Sequence, residues 1–338
     1  MKLGIIIGDV RTSVPPAEHL DQLLRQVEAA QRNGFTHITI GQHFMYGDLR
    51  WLQPVPVLAR LAAEVDPHIT LATNIVVVPL YHPVLLAEEL ATLDIITAGR
   101  LVVGAGIGYR TQEFEYLGVP YGERISRFEE SLELIRRLWT ERKVDHHGRH
   151  WRFEGAEPHL RPVQQPHPQI WIGAQSAPGV RRAARLGDRW TISPREPLPA
   201  LSRLWETYRR EREALGLPVR PPIMRRDLIL GRDRTDALER FGAMAQGRYL
   251  AYANRELAAL DADTVASNFS EAVKDTVLAG SPDQVIDQLR AIHDAVPLDA
   301  ILVRPQWPDM SAADVVNYLD DLGRDIAPRL TEFAAAPL

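Results

Sequence analysis

The chain has 338 residues and a net charge of −5, with 39 Lys+Arg and 44 Asp+Glu interspersed along it, which leaves no basic face for nucleic acid. It has no cysteine, so thiol nucleophiles, disulfides and thiolate zinc sites are excluded. The opening MKLGIIIGDV is broken at Asp9, too early for a secretory signal, and no apolar run approaches a membrane span, so a soluble cytoplasmic protein with no membrane partner is expected.

Short apolar, β-rich runs recur along the chain, each followed by a helical pattern. The first four are LGIIIG (3–8), HITIGQH (37–43), ITLATNIVVV (69–78) and RLVVGAGIG (100–108). They lie about 30 residues apart, the length of one βα unit. Between them, 17–33, 54–65 and 83–97 place apolar side chains at helical spacing, with Pro54 and Pro83 at helix starts, where a missing N–H costs nothing. A long helix is expected over 121–140, and then 142–168 is polar and proline-rich and reads as an excursion. The repeat resumes with IWIGA (170–174) and a helix from 178, then RWTIS (189–193) and a helix near 198–215. RRDLILG (225–231) follows, with a less regular helical region over 232–280. Ser281 caps the next helix, with Pro282 in its first turn; AILVRPQW (300–307) makes the eighth strand, and a closing helix starts at 311. Near-continuous apolar strands separated by helices imply a parallel sheet. Eight such units specify an α/β fold, the (β/α)8 TIM barrel, as a single domain over 1–338. Residues 142–168 form an insertion after the fourth βα unit, and 232–280 an irregular lid region before the eighth strand.

In such a barrel the active site lies at the C-terminal strand ends. That selects Asp9, Gln42, His43, Asn74 and the turn 104–110, then Gln175, Ser176, Ser193, Arg195, Arg304 and Trp307. The glycines of RLVVGAGIGYRTQEF alternate as G-x-G-x-G, which is not the fingerprint of a dinucleotide fold. Two readings stand: Gly104, Gly106 and Gly108 relieve crowding inside the barrel, or they let a planar ligand lie against a strand end. In IWIGAQSAPGV, Gly173 ends a strand, Gln175 and Ser176 form the turn, and Pro178 begins a helix whose first amides suit an anion. The alternative there is that Ser176 is a plain N-cap. His43 is either a structural histidine or, at the barrel mouth, an acid or base effective near neutral pH. His146, His147 and His150 lie in a polar loop with no helix to fix them, and no metal site is expected. Tyr46, Trp51, Tyr81, Tyr109 and Trp307 fall in or near strand-end loops, where a large apolar pocket would be lined.

The stretch from GFTHITIGQHF through NIVVVPLYHPVLLAEELATLDIITAGRLVVGAGIGYRTQEFEYLGVPYGERISRFEESLELIRRLW resembles the bacterial luciferase-like family of flavin- and deazaflavin-dependent oxidoreductases. HGRHWRFEG, RPVQQPHPQIWIGAQSAPGVRRAARLGDRW and GSPDQVIDQL extend the likeness over nearly the whole chain. The resemblance implies a flavin across the C-terminal mouth, either reduced FMN or the deazaflavin F420, with its phosphate near Gly173, Gln175 and Ser176. Gly106, Gly108 and Tyr109 would line the flavin's approach, and Arg110 would partner phosphate or ribityl oxygens. Asn74 matches a position near the isoalloxazine ring, on a strand that in several relatives carries a non-prolyl cis peptide, expected here around Val76 to Val78. His43 falls where deazaflavin-dependent relatives have the histidine of a DHF motif, but Gln42 stands where those relatives have Asp and luciferase itself has His. Gln42, Tyr46, Trp51, Tyr81, Arg304 and Trp307 are expected around the substrate.

The activity implied first is a two-component FMN-dependent monooxygenase, supplied with reduced FMN by a separate flavin reductase and using O2 on an apolar organic substrate. The alternative within the fold is F420-dependent hydride transfer, and from a different class, a flavin-binding protein without turnover. A homodimer packed through helices beside the first strands is also implied.

Overall fold

The computed structural model describes residues 1–11, 13–47, 49–253, 261–307 and 310–333. Eight parallel strands follow one another around a ring: β1 (Lys2–Ile7), β2 (His37–Ile40), β3 (Thr70–Thr73), β4 (Leu101–Gly106), β5 (Gln169–Ala174), β6 (Arg189–Ile192), β7 (Ile223–Arg225) and β8 (Ala300–Val303). Lys2 faces Ala300 of β8 and Gly4 faces His37 of β2. The ring closes where Gln169 of β5 faces Val102 of β4, so no barrel strand keeps an open edge. This is the (β/α)8 barrel expected from the repeat.

Eight helices cover the outside: α1 (Pro16–Arg32), α2 (Pro54–Leu61), α3 (Pro83–Ile96), α4 (Arg124–Thr140), α5 (Ala177–Leu186), α6 (Leu198–Ala214), α7 (Pro282–Ala295) and α8 (Ala312–Asp325). Four of them begin at a proline whose fixed φ suits the first helical residue. Capping boxes open α7 (Ser281 with Gln284) and α8 (Ser311 with Asp314), satisfying amides that have no partner within the helix. Ala72, Val102, Trp171, Ile223, Ala300 and Leu302, drawn from five strands, form one buried cluster that fills the barrel. A larger apolar layer joins strand residues such as Ile5, Ile38 and Val103 to Leu23, Leu58 and Leu86 of the helices. Each such side chain contributes roughly 1.5–3 kcal/mol by leaving water, which holds the strand ends in fixed relative positions.

Three elements differ from the sequence expectation. The run 225–231 is two strands, because the chain leaves the barrel after Arg225 and Asp227–Leu230 pairs with Val277–Gly280. The described residues of 232–280, 232–253 and 261–280, are more regular than their pattern: a helix of 20 residues, Arg234–Ala253, and the short helices Ala262–Ser267 and Phe269–Val273 share an apolar cluster with that two-stranded sheet. The excursion at 142–168 holds an antiparallel hairpin, Val144–His147 with Arg152–Ala156. Its histidines serve the hairpin: His146 bonds Glu130 of α4 at 3.0 Å and His150 bonds Ser126 at 2.8 Å. Among the described residues no helix is long and apolar enough to cross a membrane.

Candidate active site

Parallel strands carry their C-terminal residues to one end of the barrel, where a cavity of about 800 Å³ opens. That volume suits a cofactor with a substrate beside it. Of the residues anticipated for a site, Gln42, His43, Trp51, Asn74, Gly108, Tyr109, Gly173, Gln175, Ser176 and Arg304 line the cavity.

The glycines of β4 are explained by their neighbour. A Cβ on Gly104 would lie 2.0 Å from the carbonyl oxygen of Thr73, and one on Gly106 would lie 1.7 Å from Cδ1 of Ile75. Gly108 has φ +74, and a Cβ there would be 2.7 Å from Val77 and 2.8 Å from Phe114. Crowding from the β3 segment accounts for Gly104 and Gly106, and at Gly108 the left-handed backbone and Phe114 add to it; Gly106 lies under Ile75 and outside the cavity wall. The non-prolyl cis peptide is Asn74–Ile75, one residue before the expected stretch Val76 to Val78. Beyond it Val76 and Val77 pair with Ala105 and Gly106, and Ile75 faces the cavity. Gly173 is different: its nearest neighbour, Ile75, would be 3.6 Å from a Cβ, so no protein atom forbids a side chain there. The side-chain nitrogens of Asn74 and Trp51, both residues of the cavity wall, are buried without a hydrogen-bond partner among the described residues.

His43 follows β2. Its Nδ1 lies 2.8 Å from Oε1 of Glu113, an oxygen that also accepts from the Phe44 amide (3.0 Å) and from Arg110 (3.0 Å). Burial lowers the His43 pKa, and Glu113 offsets only part of that. Burial raises the Glu113 carboxyl, but His43, the Phe44 amide and Arg110 outweigh it and hold the pKa below its ordinary value. The pair is thus a neutral imidazole on a carboxylate. An ionised carboxylate only accepts, so Nδ1 carries the proton and Nε2 is bare, 3.4 Å from the Tyr109 hydroxyl. Three anticipated residues support this arrangement from outside the wall. Arg110 is spent on Glu113 and the Phe44 carbonyl and stacks 4.3 Å over Tyr46, whose ring lies 4.7 Å from His43. Tyr81 meets Gln42, whose amide nitrogen also donates to Gln53 (2.9 Å) and whose oxygen accepts from the Val77 amide (2.9 Å). Trp307 packs edge-on against Phe241, 4.8 Å between ring centres, as part of the 232–280 core and away from the cavity.

After β5, Ser176 caps α5 by accepting from the Gly179 amide, and the first turn opens into the cavity beside Gln175 and Arg182. Arg182 is steadied by Glu129 at 2.8 Å. A helix N-terminus with a cation one turn on is suited to an anion. Asp9, at the end of β1, receives both Arg248 and Arg304, which ties the helix Arg234–Ala253 to the barrel. Among the wall residues not singled out in the sequence are Ile75, Glu113, Arg182 and Arg225. Only Glu113 had a signal, three positions after Arg110, the spacing of an ion pair on a helical turn.

A closed (β/α)8 barrel whose mouth joins an anion-ready helix terminus to an apolar floor is the architecture of cofactor-dependent barrel enzymes. Residues 1–298 match the family model described as luciferase-like monooxygenase, and the chain belongs to that family. The monooxygenase RslO1 from Streptomyces bottropensis superposes with a TM-score of 0.84 at 28% identity, over 97% of this chain and 99% of that one. The FMNH2-dependent dimethylsulfone monooxygenase of Pseudomonas putida is 25% identical over 307 residues, 84% of this chain and 82% of that protein. The oxygenase component of the flavin-dependent trigonelline monooxygenase of Acinetobacter baylyi is 31% identical over 176 residues, 52% of this chain and 48% of that protein. The relatives matched over about half of this chain are themselves spanned for 46% to 65% of their length. The family's homologues are flavin-dependent monooxygenases and oxidoreductases, and they include F420-dependent enzymes.

Proposed function

We propose that the protein is the oxygenase component of a two-component monooxygenase, receiving reduced FMN from a separate flavin reductase and using O2 on an apolar organic substrate. The residues fit that cofactor. Ile6, Ile75 and Val77 make an apolar floor, Asn74 presents an amide donor with no partner among the described residues, and Gly173 leaves an open face. The first turn of α5 with Ser176, Gln175 and Arg182 suits a phosphate. Bound reduced FMN would supply the two electrons with which one atom of O2 leaves as water and the other enters the substrate. Ile6, Trp51 and Tyr109 exclude water from the reacting face, and the bare Nε2 of His43 holds a substrate or solvent O–H by accepting its proton.

The observation that carries the FMN branch is the fate of Gln42. At the position that resembles the Asp of deazaflavin-dependent relatives, this chain has a neutral amide fully engaged with Gln53, Tyr81 and the Val77 amide. It braces the β3 segment and has no proton to relay. One observation favours the second reading, F420-dependent hydride transfer: the neutral His43 backed by Glu113 is also suited to accept a proton from a substrate alcohol. Anaerobic fluorescence titration with reduced FMN and with reduced F420 separates the two. Tighter binding of FMN is expected, and a preference for F420 overturns the monooxygenase reading.

The reading extends to a cytoplasmic homodimer joined through α3, where Leu85, Ile95 and Ile96 are exposed. Sedimentation velocity should show a species of about twice the chain mass, and a species of 38.0 kDa contradicts it.

A further inference from the structure

His43 is a hydrogen-bond acceptor whose direction is fixed. Oε1 of Glu113 takes the Nδ1 proton at 2.8 Å and is itself held by the Phe44 amide and Arg110, so the imidazole has one tautomer and one orientation. Its Nε2 lies 3.4 Å from the Tyr109 hydroxyl, farther than an O–H donor normally approaches, so a ligand donor can come closer than this one does. The surroundings of the acceptor are aromatic. The Trp51 ring stands edge-on to His43 at 4.7 Å and the Tyr109 ring at 5.7 Å, and both line the cavity. The benzo edge of Trp51 reaches Gly41, where a Cβ would lie 3.1 Å from it, and Ile6 and Val77 continue the apolar surface.

An oriented acceptor set among aromatic rings recognises an apolar molecule that carries a hydrogen-bond donor. Among such donors a hydroxyarene makes chemical use of it. Drawing the O–H proton toward Nε2 raises the electron density of the ring at the carbons ortho and para to the oxygen, where an electrophilic oxygen adds, and Glu113 balances the imidazolium that forms. Resting on the flavin reading above, we infer that the substrate is a hydroxyarene that donates its O–H to Nε2 of His43 and lays its ring against Trp51 and Tyr109. A ring C–H then becomes C–OH. One atom of O2 enters the ring, the other leaves as water with the two electrons and two protons of the reduced flavin, and the proton held by His43 returns to the oxygen that lent it.

The test is calorimetric titration of the full-length protein, flavin-free and loaded with FMN, at neutral pH, where these phenols keep their proton. The ligands are 4-chlorophenol and 2-naphthol against 4-chlorotoluene and 2-methylnaphthalene, in which a methyl group of similar size replaces the hydroxyl. Apolar burial alone favours the methyl compounds. The hydroxyarenes should nevertheless bind at least about tenfold more tightly. In His43→Phe that preference should vanish while the affinity for the methyl compounds is kept. Equal affinity, tighter binding of the methyl compounds, or binding of neither overturns the inference. So does a preference that survives His43→Phe, because another acceptor of the cavity, such as Glu196 or Ser193, would then hold the hydroxyl. A preference that FMN abolishes overturns it too, since the flavin would then occupy Nε2. Failure of FMN to bind at all sinks the flavin reading alone, and the hydroxyl-to-methyl ratio of flavin-free protein still decides this one. That ratio is a measurement on the parent protein, so it stands if His43→Phe does not fold.

Discussion

Ile75 is the residue on which the mouth is built. Its side chain occupies the space that Gly106 leaves, and it faces the cavity beside Gly173. Gly106→Ala should therefore cost roughly 1–3 kcal/mol in denaturant unfolding by overpacking against Ile75. The pair Gly106→Ala with Ile75→Ala should recover part of that loss, whereas strict additivity would show that the two do not share the space. Glu113 is the second such residue, since one of its oxygens serves His43, the Phe44 amide and Arg110 together. Glu113→Gln should cost about 3–5 kcal/mol by leaving the Arg110 guanidinium buried without its carboxylate, and an unchanged urea midpoint would contradict that. His43 was legible because a polar residue at the end of an apolar strand has one place to point. Ile75 was not: it is one apolar residue in an apolar run, and its role depends on its approach to Gly106 across two strands, a distance that no spacing in the sequence records.

At the scale of elements, the barrel strands and their helices were readable because each carries its own signal, an apolar run followed by proline or serine at a helix start. Asp227–Leu230 was read as part of a barrel strand because continuity of apolar residues does not say which partner a strand takes; Val277–Gly280, its actual partner, is four residues long and hidden at the end of a helical region. The alternating glycines were visible, but whether they admitted a ligand or a neighbour depended on distances across two strands. The helix Arg234–Ala253 is fastened by buried polar links, Arg248 to Asp9 and Tyr249 to Asp227, in addition to the apolar contacts of Phe241 with Trp307. Asp9→Asn removes the carboxylate that Arg248 and Arg304 share. Hydrogen exchange over 234–253 should then quicken while exchange in β3 to β5 stays as in the parent, and a uniform change across the barrel would show that the link is not local.

The whole molecule should lose stability on acidification. His19 and His37 are buried, and burial, the main cause, lowers both to about 4; His43 is displaced in the same direction. The unfolded chain binds protons on these imidazoles near pH 6.5 while the folded chain excludes them, so stability is greatest above that pH and falls progressively toward pH 4. His37 alone accounts for about 3 kcal/mol over that window. Urea unfolding at a series of pH values should show this slope, and a flatter one in His37→Gln. A flat profile in the parent would mean that the imidazoles are hydrated.

The central claim is that the first turn of α5, with Ser176, Gln175 and Arg182, seats the phosphate of a flavin lying over Ile75. The most direct measurement is the ratio of dissociation constants for reduced FMN and reduced riboflavin under anaerobic conditions, since the two differ only in that phosphate. FMN should bind at least about tenfold more tightly, with the ratio falling toward one in Arg182→Gln. Equal affinity for the two flavins, or a ratio untouched by that substitution, would contradict it.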